Sequence, residues 1–476
     1  MKTNSIIRLV IPLSLCTVVV CLLAQSVGRV APARSTLDQA VALLGLGNPQ
    51  AAKELLAQIE ARDPSYEAAR RYLALCLHEL KDQRGFLKAI ESIDLDAPVV
   101  PPEVCEDLAF RQIDALFQCR KFEDIFDKIR AFRTTYSVSH RLEAVREYEM
   151  AALFERGMKK AYEAAVLKDA DKSAARWAEA NANLADFLAS AAQFQHPGYA
   201  VLPKRDLQED IFVARLALGD EQAALREIQF RDLATREKLS LLRLKLYLKL
   251  HAGQVEKLLE LMNQFVNEFP ASTNRVRIEY EMADLSFEVA ERAWLEVRDV
   301  TRTNASQAAE KWSHVRRNQA LGREIAGRLL RQKGAGLETQ DYLHLWQDYL
   351  LSYYIQGDYS GLAAQTAVLL ADAEVGSLGW VMGKVNEGVV LACSDPPRSR
   401  EAGELFDQVM SLGFRNKPAY DQWITCAAKW HVCLALRDGN RAEAEATAHW
   451  VENSSCSKTL KQDFLRVYRS LIGDSE

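Results

Sequence analysis

Apolar residues recur at intervals of three and four along most of this chain, which is the spacing of one face of an α-helix. Five times, such a stretch is interrupted by a glycine and a polar residue, beginning at Gly47, Gly219, Gly253, Gly357 and Gly439. The residues seven and three positions before each glycine, and five after it, are apolar in every copy. Since glycine readily takes the left-handed backbone that ends a helix, each copy predicts a hairpin of two helices.

The first of these hairpins carries the spacing of a known repeat, counted from Ala33. Small and apolar residues followed by a terminal proline occupy the expected places at Ala40, Leu43, Ala52, Leu56, Ile59 and Pro64. This stretch resembles a tetratricopeptide repeat (TPR), and the Gly253 copy keeps the proline as Pro270. The resemblance implies an α-solenoid that holds a protein or peptide partner, without a cofactor, a metal or catalysis of its own.

A longer similarity indicates an internal duplication. Residues 147–153, EYEMAAL, recur as EYEMADL at 279–285, an offset of 132 residues. We interpret the two copies as equivalent helices of two tandem blocks, each with one hairpin longer than a standard repeat, near 141–195 and 274–333. The predicted organisation is a leader at 1–29, TPR-like hairpins at 30–104, helical blocks at 105–238 and 239–372, and C-terminal helical hairpins at 373–476.

Composition agrees with an all-α fold. Hydrophobic residues make up 49% of the 476 residues and charged ones 26%, with only 13 prolines and 22 glycines to interrupt helices. Alternating β-branched runs bounded by turn residues, which would indicate strands, are almost absent. We therefore predict an all-α solenoid of TPR-like hairpins, with two extended hairpins and an N-terminal hydrophobic helix.

The N-terminal helix is predicted from an uncharged run at residues 9–24, which follows Lys2 and Arg8. Its length lies between that of a signal-peptide core and that of a membrane-spanning helix. Ala24-Gln25-Ser26 offers a cleavage site before Val27, whereas the closely following Arg29 favours retention. Both alternatives, a cleaved signal peptide and a retained anchor, place the solenoid outside the cytoplasm, either secreted or periplasmic, or held at the membrane.

Motifs for catalysis and metal binding were sought and not found. The chain contains no phosphate-binding loop, no His-Glu-x-x-His and no Gly-x-Ser-x-Gly. It also lacks the Cys-x-x-Cys and His-x-x-x-His pairs from which zinc sites are commonly built, so no metal is expected. A formal net charge of −5 argues against nucleic acid as a partner. We interpret the cysteines beyond the leader as buried thiols.

Two groups of residues are candidates for partner binding. Trp346, Tyr349 and Tyr353 are spaced at three and four residues, so they share one helix face, where they either bind a peptide or pack between hairpins. The basic stretch that contains Arg316, Arg317 and Arg323 either docks an acidic partner or is an ordinary solvated face. The candidate partner-binding residues are Tyr342, Trp346, Tyr349, Tyr353, Arg316, Arg317 and Arg323.

The sequence thus predicts an exported or membrane-tethered scaffold for protein–protein interactions that is not an enzyme. One alternative is a subunit of a bacterial envelope assembly machine. The other is a cell-wall hydrolase with a helical superstructure. The scaffold predicts a continuous groove, whereas the hydrolase predicts a deep pocket that holds at least two acids with perturbed pKa values.

Overall fold

The protein is described from a computed structural model, which covers residues 35–251, 253–300 and 305–473. Within these ranges all regular elements are helices and none is a strand, which confirms the all-α prediction. The leader and its predicted hydrophobic helix lie outside the described residues. Of the helices in these ranges, none combines the length and the apolar character needed to cross a membrane.

The chain divides into two compact units, residues 1–224 and 225–476. The helices of the first unit are α1 (Thr36–Gly45), α2 (Pro49–Leu56), α3 (Tyr66–Glu79), α4 (Gln83–Ile90), α5 (Pro102–Gln118), α6 (Phe122–Thr135), α7 (Leu142–Val166), α8 (Ala170–Ala192) and α9 (Leu207–Ala217). Helix α10 (Glu221–Gln229) includes the boundary. The second unit contains α11 (Leu233–Leu250), α12 (Val255–Glu268), α13 (Arg275–Val300), α14 (Ala305–Arg331), α15 (Thr339–Ile355), α16 (Tyr359–Asp372), α17 (Leu378–Ala392), α18 (Ser399–Ser411), α19 (Pro418–Arg437), α20 (Arg441–Glu452) and α21 (Lys458–Ile472).

Within each unit the helices pack as layered hairpins. Consecutive helices contact each other, and in addition α1, α3, α5, α7 and α9 each contact the next member of that series. In the second unit α13, α15, α17, α19 and α21 do the same. The first helices of successive hairpins therefore form one layer, and the second helices pack outside it. This arrangement is that of an α-solenoid.

The two extended hairpins are present where they were predicted. Helices α7 and α8 have 25 and 23 residues, and α13 and α14 have 26 and 27. The first five residues of the repeated segments have the same pattern of burial, with Glu147 and Tyr148 buried like Glu279 and Tyr280. The last two differ, since 152 and 153 are buried whereas 284 and 285 are half-buried. The internal duplication and the block boundaries stay predictions.

The turn between paired helices is built the same way in several hairpins. Gly219 has a φ of +79°. Its N–H donates to the Leu216 carbonyl at 3.0 Å, and the N–H of Asp220 donates to the Arg215 carbonyl at 2.9 Å. The Asp220 carboxylate in turn accepts from the Ala223 N–H at 3.2 Å, so this residue closes one helix and caps the next. The other turns of this kind are at Gly47-Asn48, Gly357-Asp358 and Gly439-Asn440.

Two further hairpins have a left-handed residue other than glycine at the turn, and the sequence pattern did not reveal them. Lys81 and Arg120 have φ values of +62° and +56°, in the left-handed region. In the second hairpin, Lys121 follows the left-handed residue and makes no side-chain cap. The N–H of Asp82 donates to the Leu77 carbonyl at 2.9 Å, and its carboxylate accepts from the Gly85 N–H at 2.9 Å. The hydrogen bonds of the turn therefore hold a lysine in a conformation that costs about 1–2 kcal/mol for an L-residue.

Exchanging residues at these turns should shift stability in opposite directions. We expect Lys81→Gly to raise the free energy of unfolding by about 0.5–1 kcal/mol. The relief of backbone strain in the folded state outweighs the larger conformational entropy that glycine gives the unfolded chain. Gly219→Ala should lower it by about 1 kcal/mol. A Cβ at Gly219 would meet no atom within 4 Å, so only backbone strain changes. Chemical denaturation measures both variants, and a shift of the same sign in the two would contradict this account.

Candidate functional site

The aromatic stripe of α15 lies mainly inside the second unit. Trp346 and Tyr349 are only 3% and 6% exposed, whereas Tyr342 and Tyr353 are half-buried. The ring centroids of Trp346 and Tyr349 are 5.9 Å apart, and those of Tyr349 and Tyr353 are 5.3 Å apart. These residues share one face, as the spacing predicted, and that face packs in the hydrophobic core. Whether a partner reaches the stripe stays a prediction.

The candidate arginines on α14 do not gather at one place. The Arg323 guanidinium stacks over the Tyr353 ring, 4.3 Å from its centroid, and thereby joins the aromatic stripe. Arg316 and Arg317 are exposed, and an Arg317 nitrogen lies 3.4 Å from a carboxylate oxygen of Glu256. The structure therefore brings Arg323 together with the tyrosines and leaves the other two apart.

The opposite face of α15 lines a cleft in the second unit. Three adjoining hollows of about 280, 430 and 850 Å³ share residues of this face, and His344 borders all three. Most of their other walls come from α13, α17 and α19, which belong to the same layer of first helices. Gln319 of α14 and residues of two connecting segments complete the walls. The sequence pattern does not indicate this face of α15, because its residues are a mixture of polar and apolar side chains. Those on α15 are His344, Gln347, Asp348, Leu351, Ser352, Tyr354 and Ile355.

The smallest hollow contains a cluster of one histidine and two aspartates. His344 Nδ1 lies 3.5 Å from Asp284 Oδ1, and His344 Nε2 lies 3.8 Å from Asp348 Oδ2. The hydroxyl of Tyr280 is 3.2 Å from His344 Nδ1. Among the described residues, a ligand atom from each of Asp284, His344 and Asp348 lies within 4.8 Å of those of the other two. Glu288 and Glu291 add two more carboxylates to the wall.

Burial and like charge disfavour ionisation of this cluster. Burial is the main cause that raises the pKa of Asp348 to about 7, and repulsion from Asp284 and Glu291 adds to it against the attraction of His344. Burial also raises the pKa of Asp284, and the two carboxyl groups lie within hydrogen-bonding reach of each other. Two carboxylates this close need a proton or another cation between them.

Two sequence signals could have indicated the cluster. His344 and Asp348 form a His-x-x-x-Asp pair, and residues four apart on a helix share one face. The repeated heptapeptide differs at a single position, where Ala152 of the first copy is Asp284 in the second. Neither the Cys-x-x-Cys nor the His-x-x-x-His pattern includes a mixed pair of histidine and aspartate, so these patterns do not indicate the cluster.

No protein-family model and no curated protein matches this chain. Solved structures similar to it include the TPR domain of P58(IPK), with 12% identity, coverage of 93% of this chain and 98% of that chain, and a TM-score of 0.26. Human IFIT1, as a dimer with m7Gppp-AAAA, has 12% identity, 92% and 89% coverage and a TM-score of 0.32. The APC/C hetero-tetramer Cut9-Hcn1 has 12% identity, 91% and 89% coverage and a TM-score of 0.23.

The hairpins themselves, with their capped turns and their layer of first helices, have the architecture that the first repeat predicted. The chain is an array of TPR-like helical hairpins. The likeness to solved structures concerns the fold alone, so no residue role of those proteins is transferred to this TPR-like chain.

Asp348→Asn should stabilise the protein at neutral and alkaline pH. The folded-state pKa of Asp348 lies above its ordinary value of 3.8, so ionisation destabilises the fold progressively as the pH rises from about 4 to about 7. The amide removes this penalty. We expect the free energy of unfolding to rise by about 1–2 kcal/mol at about pH 8 and to match the wild type near pH 4.

Denaturation over a pH series measures this difference. Asp341→Asn is the matched control on the same helix, because Asp341 has a cationic partner in Arg277 and its amide should give no gain at high pH. A wild-type advantage over Asp348→Asn at about pH 8 would contradict the assigned pKa direction.

Proposed function

We propose that this protein is a TPR-like scaffold that holds a segment of another protein in the cleft of its second unit, without catalysis of its own. The observation that carries the proposal is the wall that α15, α17 and α19 present to this cleft. It combines aromatic rings and aliphatic side chains with amide groups, and its middle hollow measures about 430 Å³.

The apolar part of this wall suits the side chains of a partner. Trp423 and Trp430 of α19 are half-buried, so each exposes part of its ring to the cleft. Tryptophan contributes most where a bound partner covers it, because it buries a large rigid surface. The aliphatic and remaining aromatic contributions come from Leu351, Tyr354, Val385 and Val389.

The amides of the wall suit the backbone of a partner. Gln347, Asn386 and Gln422 lie on three successive first helices and border the same hollow. An amide side chain both donates and accepts hydrogen bonds, which matches the alternating N–H and C=O groups of an extended peptide. Asn386 Nδ2 donates to the Met382 carbonyl at 2.8 Å, and this contact fixes the orientation of its side chain. We therefore favour an extended segment with apolar side chains as the occupant.

One observation favours the hydrolase alternative, namely the raised pKa values of Asp284 and Asp348 in one hollow. The separation of the two groups does not fit that role. A carboxylate oxygen of each lies within 4.8 Å of one of the other, whereas carboxyl pairs of glycoside hydrolases stand about 5–5.5 Å apart when retaining and about 6.5–9.5 Å apart when inverting. If the protein is a scaffold, we expect it to release no soluble fragments from purified cell wall. Release by the wild type that is lost in Asp348→Asn would favour the hydrolase.

We also propose that the leader holds the scaffold at a membrane or directs its export. The support is the uncharged run at 9–24 behind Lys2 and Arg8.

The first test places a photo-crosslinking amino acid at Gln422, an exposed position of the cleft, in the full chain and in its native host. The control position is Gln408, which is exposed on α18 outside the cleft lining. We expect a reproducible crosslink to a defined segment of one protein from Gln422 and none from Gln408. Crosslinks to the same protein in equal yield from both positions would contradict the cleft proposal.

The second test measures the affinity of that mapped segment, as a peptide, for two tryptophan variants. Trp423→Ala removes an anchor of the cleft, and an anchor of this kind contributes about 2 kcal/mol or more, so binding should weaken at least about 30-fold. Trp450→Ala removes a tryptophan of α20 that is 36% exposed and contacts Phe414. It should bind like the wild type, and equal losses in both variants would count against a specific cleft.

The leader is tested by N-terminal sequencing of protein recovered from its host. A chain that begins at Val27 is expected from a cleaved signal peptide, and one that keeps Lys2 and sediments with membranes is expected from an anchor. A chain that keeps Lys2 and stays in the cytosolic fraction would contradict both alternatives.

A further inference from the structure

We infer that Asp284, His344 and Asp348 form a binding site for a divalent transition-metal ion of the Zn²⁺ class, at the end of the cleft formed by α13 and α15. The inference goes beyond the proposed function, because it does not depend on a protein partner. Three side chains from two helices would share one ion and link the helices through it.

The geometry places the ligands correctly before any ion binds. His344 and Asp348 are one helical turn apart on α15, so their side chains project from the same face. Asp284 approaches from the neighbouring helix α13, and its ligand atom lies within 4.8 Å of those of the other two residues. Ligands about 2.0–2.2 Å from an ion lie closer together than this, so small side-chain rotations complete the site.

His344 is the basic partner that the structure shows for both Asp284 and Asp348. Among the side chains that the structure describes, no lysine or arginine nitrogen lies within 4.0 Å of a carboxylate oxygen of Asp284, Glu291 or Asp348. Glu288 has a partner in Arg292. A cluster that gathers carboxylates against one histidine attracts a divalent cation, because each negative charge lowers the free energy of the bound ion.

In the first unit, two acids of α5 have close partners. Asp107 contacts both Arg111 and Arg141, at 2.6 and 2.5 Å. Asp114 accepts from the Tyr148 hydroxyl at 2.7 Å and contacts His78 Nε2 at 2.9 Å. Asp107 thus has two arginine partners and Asp114 has a histidine of its own, whereas Asp284 and Asp348 share the single imidazole of His344.

The repeated segments differ in charge where the cluster lies. At the offset of 132 residues, α7 has a neutral residue and two cations at the positions where α13 has three acids. The pairs are Ala152 and Asp284, Arg156 and Glu288, and Lys159 and Glu291. The second copy thus carries acids on one face of the helix, spaced at four and three residues.

The donor set decides the class of ion. One imidazole with two carboxylates suits Zn²⁺ and its first-row neighbours, whereas Mg²⁺ and Ca²⁺ prefer sites made only of oxygen ligands. Three protein ligands leave at least one coordination position for water. The hollow of about 280 Å³ beside the cluster has room for such a water.

The test titrates the purified full chain with Co²⁺, whose visible absorption reports its coordination, and then displaces it with Zn²⁺. We expect one Co²⁺ per chain and loss of the spectrum when Zn²⁺ is added. Asp284→Ala, His344→Gln and Asp348→Asn should each weaken Co²⁺ binding at least about tenfold, since even the loss of an outer partner of a ligand costs about 10–100-fold. His314→Gln, an exposed histidine of α14, should bind as tightly as the wild type.

A thermal readout separates metal binding from damage to the fold. Zn²⁺ should raise the Tm of the wild type and of His314→Gln, but not that of Asp284→Ala, because an ion stabilises only the state that binds it. The inference fails if Co²⁺ keeps the spectrum of the free aqueous ion in the presence of the wild type. It also fails if all three cluster variants bind like the wild type. Neither result bears on the crosslinks from Gln422, so the cleft proposal stands or falls separately.

Discussion

Several hairpins of this protein depend on a turn in which two consecutive residues end one helix and begin the next. The first takes the left-handed backbone and the second caps the following helix, as Gly219 and Asp220 do through three hydrogen bonds. Because the turn is this short, the two helices that it joins lie side by side and antiparallel. A hairpin of this size cannot bury its apolar faces within itself, so it packs against the next hairpin, and the layered array follows.

In this layered arrangement, the two sides of α15 have different environments. The aromatic side, with Trp346 and Tyr349, is used for packing in the core of the second unit. The other side borders the cleft, to which the neighbouring first helices α13 and α17 also contribute walls. A partner in the cleft would therefore meet mixed polar and apolar residues, on which binding depends less on total area than on a few anchors such as Trp423.

The acids at the end of the cleft act against stability. A protein under no other demand would pair or replace a carboxyl whose pKa is raised to about 7, as it does with the arginines around Asp107 in the first unit. Local destabilisation of this kind is common where a site must bind something. An ion shared by Asp284, His344 and Asp348 would remove the repulsion and stiffen the contact between α13 and α15.

The sequence by itself determined the helices, the turns at Gly47, Gly219, Gly357 and Gly439, and the two long hairpins, because apolar spacing and glycine-polar pairs act over a few residues. The predicted turn at Gly253 is built differently, since the Gln254 N–H donates to the His251 carbonyl and its side chain does not cap the next helix. The sequence did not reveal the turns at Lys81 and Arg120, because backbone hydrogen bonds, and not the residue type, hold these two residues in the left-handed conformation. Only the tertiary structure decided which side of α15 faces the core. It alone brought Asp284 to His344, because the extended hairpin folds α14 back along α13 before α15 begins, and no local pattern records that return.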